Sequence, residues 1–347
     1  MGRISNARQY EVAHYATLQR ISSLGGAALP FLIIGGLLYS AFFVKPKVEG
    51  VSVEPPVIER RDIFYGVAIP VPGSVWVAGN QGKIVRSDDG GTTWIHQATG
   101  VTAHLQSIAA WDPERAVAVG NDGTVVVTSD GGKTWAKTSM PANVAGAKLM
   151  RVRTYPGGKA WAVGEMGMAL SSSDFGVNWR STTAGEDVSW NDVVFVKDVG
   201  WLVGEFGRMQ ATRDGGANWK VLASPVKSSL NGVYFRDEHE GVAVGTEGVL
   251  LLTKDGGANW RVLPKIVDEH LYDVLWDGSR WIAVGDKGAL LTAGISGDKW
   301  SDLSRDAGTT WHTQVVGANG SYLLAGYGVT KIDIDRDKRT ETKKGKQ

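Results

Sequence analysis

The chain has 347 residues, a formal net charge of +1, 46 glycines, 14 tryptophans and no cysteine. A near-neutral chain lacks the basic surface of a nucleic-acid-binding protein, and a chain without cysteine forms no disulfide. The six histidines are scattered without the spacing of a metal site, so we expect neither a metal nor a cofactor.

Residues 21–44 form an uncharged run of 24 residues, ISSLGGAALPFLIIGGLLYSAFFV. As a helix rising ~1.5 Å per residue it would reach about 36 Å, enough to cross a hydrocarbon core of about 30 Å. We therefore predict an uncleaved transmembrane helix over 21–44 that contacts the lipid bilayer. A cleaved signal peptide is the alternative, but the run is too long and no clear cleavage motif precedes Lys45.

The segments beside this run complete the predicted organisation. Residues 1–20 are predicted to be cytoplasmic and residues 45–56, with three prolines, to be a short tether. Positive charges lie on both sides of the run, so their bias toward the N-terminal side is slight. We expect an inner-membrane protein with its large domain on the periplasmic side, because proteins with repeats of the type that fills the rest of this chain are mostly exported. Residues 336–347 read as a basic, disordered tail.

An eight-residue motif, [Ser/Thr]-x-Asp-x-Gly-x-[Thr/Asn]-Trp, occurs five times with its tryptophans 40 to 44 residues apart. A period near 40 with β-rich content predicts propeller blades of four antiparallel strands. We interpret the motif as structural, because an aspartate in a tight turn accepts backbone hydrogen bonds and the tryptophan packs apolar area. The residues assigned to it are Asp89, Trp94, Asp130, Trp135, Asp174, Trp179, Asp214, Trp219, Asp255 and Trp260.

A second recurring motif, Val-Gly-x-x-Gly, marks a turn ahead of each copy and brings the count to six full blades and a shortened seventh. A degenerate sixth copy of the eight-residue motif, without its aspartate, ends at Trp300. A complete copy, 304–311, follows it closely, so either Trp311 begins blade seven or 293–300 is an insertion. We predict an all-β, seven-bladed propeller over 57–335, with six blades as the alternative. Residues 51–58 are free to supply the last strand of blade seven and so close the ring.

The eight-residue motif resembles the Asp-box, or BNR, repeat of sialidases and other β-propellers. Together with the Val-Gly-x-x-Gly turn and seven blades, it resembles the photosystem II assembly and stability factor family, which has bacterial relatives outside photosynthesis. The resemblance implies a propeller that serves a membrane complex. In sialidase-like families the Asp-boxes lie on the face opposite the active site, which implies a structural role for the boxes here.

The turns between second and third strands should share one face with the starts of the first strands, and the Asp-boxes should occupy the other. That first face carries more acidic than basic residues. It also has Met166 and Phe206 at turn tips, where polar residues are usual. These two side chains form a protein interface or else fold inward over the central channel. The residues predicted to bind a partner are Asn80, Gln81, Asp122, Arg151, Glu165, Met166, Asp192, Glu205, Phe206, Glu247, Tyr272, Asp286 and Lys287.

The function favoured by these features is a non-catalytic, membrane-anchored accessory subunit that docks on an integral membrane protein complex. Relatives outside photosynthesis look like companions of RND-type export transporters, which makes such a transporter the favoured partner. One alternative is a photosystem assembly factor. Another is a sialidase-type glycosidase or a carbohydrate-binding module, although the Phe/Tyr-Arg-Ile-Pro segment of sialidases is missing and no catalytic residue is assigned.

Overall fold

A computed structural model describes residues 29–43, 56–144, 146–183, 185–306, 308–318 and 321–334. The chain divides into two compact units, Met1–Pro55 and Pro56–Gln347. The predicted segment 1–20, residues 21–28 and 44, the tether except Pro56, and the whole tail 336–347 lie outside the described residues.

In the first unit, residues 29–43 form a helix, α1, and all of its side chains are exposed. The uncharged run is therefore helical over the part that is described. Among the described residues, no helix combines the length and the apolar character needed to cross a bilayer.

The described part of the second unit forms seven antiparallel sheets, which are the blades of a propeller. Blades one to six have four strands and blade seven has three, so the predicted all-β architecture and blade number are confirmed. Blade one contains β1 (Phe64–Val71), β2 (Ser74–Gly79), β3 (Ile84–Ser87) and β4 (Ile95–Gln97). Blade two contains β5 (Leu105–Ala110), β6 (Ala116–Gly120), β7 (Val125–Thr128) and β8 (Ala136–Lys137). Blade three contains β9 (Leu149–Tyr155), β10 (Lys159–Gly164), β11 (Ala169–Ser172) and β12 (Arg180–Ser181).

The remaining blades repeat this order. Blade four contains β13 (Trp190–Val196), β14 (Val199–Gly204), β15 (Met209–Thr212) and β16 (Lys220–Val221). Blade five contains β17 (Leu230–Phe235), β18 (Gly241–Gly245), β19 (Leu250–Thr253) and β20 (Arg261–Val262). Blade six contains β21 (Leu271–Trp276), β22 (Trp281–Gly285), β23 (Leu290–Ala293) and β24 (Trp300–Asp302). Blade seven contains β25 (His312–Ala318), β26 (Ser321–Gly326) and β27 (Gly328–Asp333).

The sixth and seventh blades resolve the ambiguity of the two late motif copies. Trp300 begins β24, the fourth strand of blade six, so 293–300 is the sixth copy. Trp311 directly precedes β25, and Ser304–Asp306 is a short 3₁₀ helix in the loop between the blades. The complete motif copy at 304–311 is therefore not a blade turn.

The core lies between blades rather than inside them. Each of seven buried apolar clusters draws its side chains from two neighbouring blades, and the one that joins blade seven to blade one includes Phe64, Val77, Leu323 and Ala325. Burying apolar area at every blade interface stabilises the ring as one body.

The Asp-box tryptophans contribute to these interfaces. Trp135 of blade two packs edge-on against Trp76 of blade one, with 5.7 Å between ring centroids. Trp219 of blade four meets Trp161 of blade three in the same way at 5.8 Å. The tryptophan of an Asp-box therefore packs its own blade against the preceding blade.

Side chains on the first strands also join neighbouring blades. Gln314 of blade seven accepts a hydrogen bond from the Val67 backbone N–H of blade one, and Thr313 donates to the Tyr65 carbonyl. An isolated bridge pairs Ile63 with Tyr327. Residues 56–58 form no strand, although Val57 and Ile58 pack at this interface, so the predicted closing strand is absent from that part of 51–58.

Candidate protein-binding face

The turns that join second to third strands protrude beside the starts of the first strands. In blade one, for example, the Asn80 N–H donates to the Ile63 carbonyl at 2.9 Å. In blades one to six the tip residue of this turn has a left-handed backbone with φ between 48° and 58°, although it is not glycine. We name this surface the turn face; its tips are Gln81, Asp122, Met166, Phe206, Glu247 and Lys287.

Met166 and Phe206 are exposed, at 52% and 68% of their surface. They occupy the same position on the neighbouring blades three and four, and neither side chain is buried. Left-handed backbone is unfavourable for such bulky residues, so local propensity does not select them. Exposed apolar side chains on rigid, adjacent turns are a feature of protein-binding surfaces.

Carboxylates at the base of two turns hold the turns in place. Glu165 Oε2 accepts a hydrogen bond from the Lys148 backbone N–H at 2.9 Å, and Glu205 Oε2 accepts one from the Ser189 N–H at 2.8 Å. Asn80 makes the equivalent contact to the Ile63 N–H in blade one. Glu165 and Glu205 were predicted as partner contacts, but the structure gives each a role in shaping its own turn.

The other predicted turn residues lie on the same face. Gln81, Asp122, Glu247 and Lys287 are exposed, whereas Tyr272 and Asp286 are half-buried. Burial raises the pKa of Tyr272, and the charge of Asp286 adds to the effect.

Two histidines that the sequence did not single out support this face. The Gln81 backbone N–H donates to His104 Nδ1 at 3.1 Å, and the Glu247 N–H donates to His270 Nδ1 at 2.9 Å. Each histidine directly precedes the first strand of the next blade. This shared position is the signal by which the sequence could have identified them.

Arg151 and Asp192 were predicted on this face but lie inside the ring. They are 6% and 0% exposed, and Arg151 Nε lies 3.5 Å from Asp192 Oδ1. Neither can contact a partner docked on the turns, because their side chains project toward neighbouring blades. Their charges are used within the fold instead.

Two further residues complete this buried cluster. Arg153 binds Asp192 through two hydrogen bonds of 2.6 and 3.0 Å, and Arg151 Nη2 donates to Asp273 Oδ1 at 3.1 Å. Burial favours the neutral form of Asp192, but Arg153 and Arg151 outweigh burial and hold its pKa below the usual value. Burial prevails at Asp273, where the pKa is raised although Arg151 partly offsets the effect.

The Asp-boxes lie on the opposite face, beside the hairpins that join first to second strands. Asp89 Oδ1 accepts hydrogen bonds from the backbone N–H groups of Thr92 and Thr93 at 2.9 and 2.8 Å. The donors of these hydrogen bonds lie three and four residues after the aspartate. Asp130, Asp174, Asp214 and Asp255 make the same contact to the residue four positions on.

These contacts account for the charge state of the boxes. A side-chain hydrogen bond from Thr134 lowers the pKa of Asp130 to about 2, and one from Asn218 does the same for Asp214. The aspartates sit on separate blades, and no metal-binding group of three or more suitable side chains occurs among the described residues.

A sequence profile of the family described as "Photosynthesis system II assembly factor YCF48" matches residues 172–326. The predicted resemblance to this family is confirmed. No curated protein matches the chain.

Solved structures show the same fold. A structure titled "YCF48 bound to D1 peptide" superposes with a TM-score of 0.66 at 15% identity, covering 79% of this chain and 94% of the other. "YCF48 from Cyanidioschyzon merolae" gives a TM-score of 0.65 at 15% identity and covers 79% and 97%. The WD40 propeller domain of Doa1 gives 0.66 at 11% identity and covers 81% and 96%.

The arginines near the ring centre do not form the site of a sialidase. That chemistry needs arginines free to bind a substrate carboxylate, together with a tyrosine nucleophile and an acid. Arg151 and Arg153 are committed to Asp192 and Asp273, and Glu205 is bonded to a backbone amide. The geometry therefore favours a binding role for this propeller over glycosidase chemistry.

Proposed function

We propose that this protein is a non-catalytic assembly factor that binds an exposed segment of an integral membrane protein on the turn face of its propeller. The observation that carries the proposal is the pair of exposed apolar tips, Met166 and Phe206, on adjacent blades. The family match supports the assembly role, and a structural relative is titled as bound to a D1 peptide.

The surroundings of Phe206 indicate what the bound segment presents. A groove of about 230 Å³ runs beside Phe206 and is lined by Met209, Val221, Leu222 and Val226 among others. Val221 is 77% exposed. An apolar side chain of the partner would bury itself there and against Phe206, and burying such a side chain contributes roughly 1.5–3 kcal/mol.

The same comparisons bear on which membrane complex this protein would serve. They name photosystem II assembly factors, so we place assembly of a photosystem-type complex ahead of docking on an export transporter. An RND-type transporter, the membrane anchor over 21–44 and a periplasmic propeller stay predictions. The anchor rests on the uncharged sequence of that run, since no described helix combines the length and apolar character needed to cross a bilayer.

The test is affinity purification of the full-length protein from host membranes in mild detergent, followed by mass spectrometry. The test variant combines Met166→Asn and Phe206→Asn, since asparagine tolerates left-handed backbone. Gln81→Asn, at the same turn position in blade one, is the matched control. We expect a stoichiometric membrane protein with the wild type and the control, and its loss with the test variant. Retention of that partner by the test variant would overturn the proposal.

A further inference from the structure

A short loop, residues 185–188, lies between the turns of blades three and four whose tips are exposed and apolar. The Glu186 backbone N–H donates to the Met166 carbonyl at 3.1 Å. In return, the Gly167 N–H donates to the Val188 carbonyl at 2.6 Å. The loop is therefore fixed to the turn of blade three.

The same loop is also fixed to the turn of blade four. The Glu186 carboxylate forms an ion pair with Arg208, which follows the tip residue Phe206 by two positions. The Arg208 guanidinium lies over the Trp190 ring, 5.6 Å from the ring centroid. Contacts on both sides therefore hold the loop between the two apolar tips.

Asp187 stands at the apex of this loop. The Val188 N–H donates to the Glu186 carbonyl at 2.8 Å, so the chain folds tightly around Asp187. The Asp187 side chain is exposed and makes no hydrogen bond or ion pair with any residue that the structure describes. Its charge is therefore available to a molecule bound between the tips.

The surroundings of Asp187 carry an excess of negative charge. The loop and the two turns beside it span 165–168, 185–188 and 205–208. Together they contain four carboxylates and one cation, and that cation, Arg208, is already paired with Glu186. Glu165 and Glu205 bind backbone amides rather than cations. Such a surface attracts a cationic partner and repels the anionic headgroups of a bilayer.

We propose that the membrane-protein segment bound on the turn face presents a lysine or arginine between two apolar side chains. The cation pairs with Asp187, and the apolar side chains cover Met166 and Phe206. This inference rests on the proposed function, because it uses the same two tips, and it adds the charge of the bound segment. Covering the tips excludes water from the ion pair, which strengthens the attraction between its two charges.

The test measures the binding of synthetic peptides to the full-length protein in mild detergent. Each peptide has two leucines that flank a central lysine, glutamine or glutamate, and the leucines are placed at progressively wider spacing. At the spacing that binds best, we expect the lysine peptide to bind more tightly than the glutamine peptide, and the glutamate peptide to bind most weakly. Added salt should reduce the preference for lysine, because salt screens exposed charges.

Variants of Asp187 separate the effect of charge from that of apolar contact. Asp187→Asn should weaken binding of the lysine peptide roughly two- to fivefold, as expected for a solvent-accessible ion pair. Asp187→Lys should reverse the preference, so that the glutamate peptide binds more tightly than the lysine peptide. The matched control is Asp198→Lys, because Asp198 is exposed between β13 and β14 on the opposite face. This control should keep the preference for lysine.

The outcomes distinguish this inference from the proposed function. The inference is overturned if the wild type binds the lysine and glutamine peptides equally, if Asp187→Lys still prefers lysine, or if no peptide binds. The proposed function fails separately, if the Met166→Asn/Phe206→Asn variant retains its membrane protein in the affinity purification from host membranes.

Discussion

Arg151 on blade three and Asp273 on blade six meet across the centre of the ring, with 3.1 Å between Nη2 and Oδ1. Both side chains are buried, and Asp273 also accepts a hydrogen bond from the Val315 N–H of blade seven at 2.9 Å. The pair therefore ties together blades that share no sheet and are distant along the chain.

Removing one partner of this pair should lower the free energy of unfolding substantially. Arg151→Met leaves Asp273 buried without its cation, and breaking a buried pair in this way costs about 3–5 kcal/mol. Asp273→Asn keeps an oxygen for the Val315 N–H. In a double-mutant cycle measured by urea unfolding, the double variant should lose less free energy of unfolding than the two single variants lose in sum. Additivity within about 0.5 kcal/mol would show that the two side chains are not coupled.

The two glycines of a single Asp-box should differ in their tolerance of a side chain. Gly216 has φ +88°, and a Cβ there would lie 2.2 Å from Trp161 of blade three. Gly215 has φ +69°, and its nearest neighbour would be 3.6 Å away. Alanine at either position strains the backbone and destabilises the protein by about 1–2 kcal/mol. Gly216→Ala should lower the free energy of unfolding by roughly 1–3 kcal/mol more, because the added methyl group overpacks the interface. Equal urea midpoints would contradict the interblade packing described above.

Acid stability should depend on the box aspartates. The folded pKa of Asp130 is about 2, below the usual value of about 3.9 in an unfolded chain. The unfolded chain then binds more protons between about pH 2 and 4, so stability is present above this window and falls as the pH drops through it. Thermal melting from pH 2 to 6 should show a weaker pH dependence for Asp130→Asn than for the wild type. Parallel curves would contradict this assignment.

Phe206 should contribute little to folding despite its size. Its side chain is 68% exposed, and asparagine accepts the same backbone conformation. Phe206→Asn should therefore change the free energy of unfolding by less than about 1 kcal/mol. The buried Phe235, 3% exposed, is the matched comparison, and its truncation to alanine should cost about 3–5 kcal/mol. A comparable loss at Phe206 would show that its role is in packing.

The sequence predicted the blades because each one repeats a local pattern. The spacing of Trp94, Trp135 and their counterparts predicted the strand order, and the repeated glycines located the turns whose tips form the turn face. These features depend on residues close together in the chain, so a single sequence reveals them.

The centre of the ring could not be predicted in this way. Arg151 and Asp273 lie 122 positions apart, and the sequence does not indicate which side chains of different blades meet. The same limitation placed Asp192 on the surface, although Arg153, overlooked in the sequence, holds it inside. Glu205 looked like a free charge because its partner, the Ser189 N–H, is a backbone group.

The central claim is that a membrane protein binds the turn face, and site-specific photo-crosslinking tests it most directly. A photoreactive residue would replace Phe206 on the turn face or Ala217, which is exposed in an Asp-box on the opposite face. After irradiation of host membranes, the probe at 206 should crosslink to one integral membrane protein and the probe at 217 should not. A crosslink to that protein from 217, with none from 206, would contradict the account.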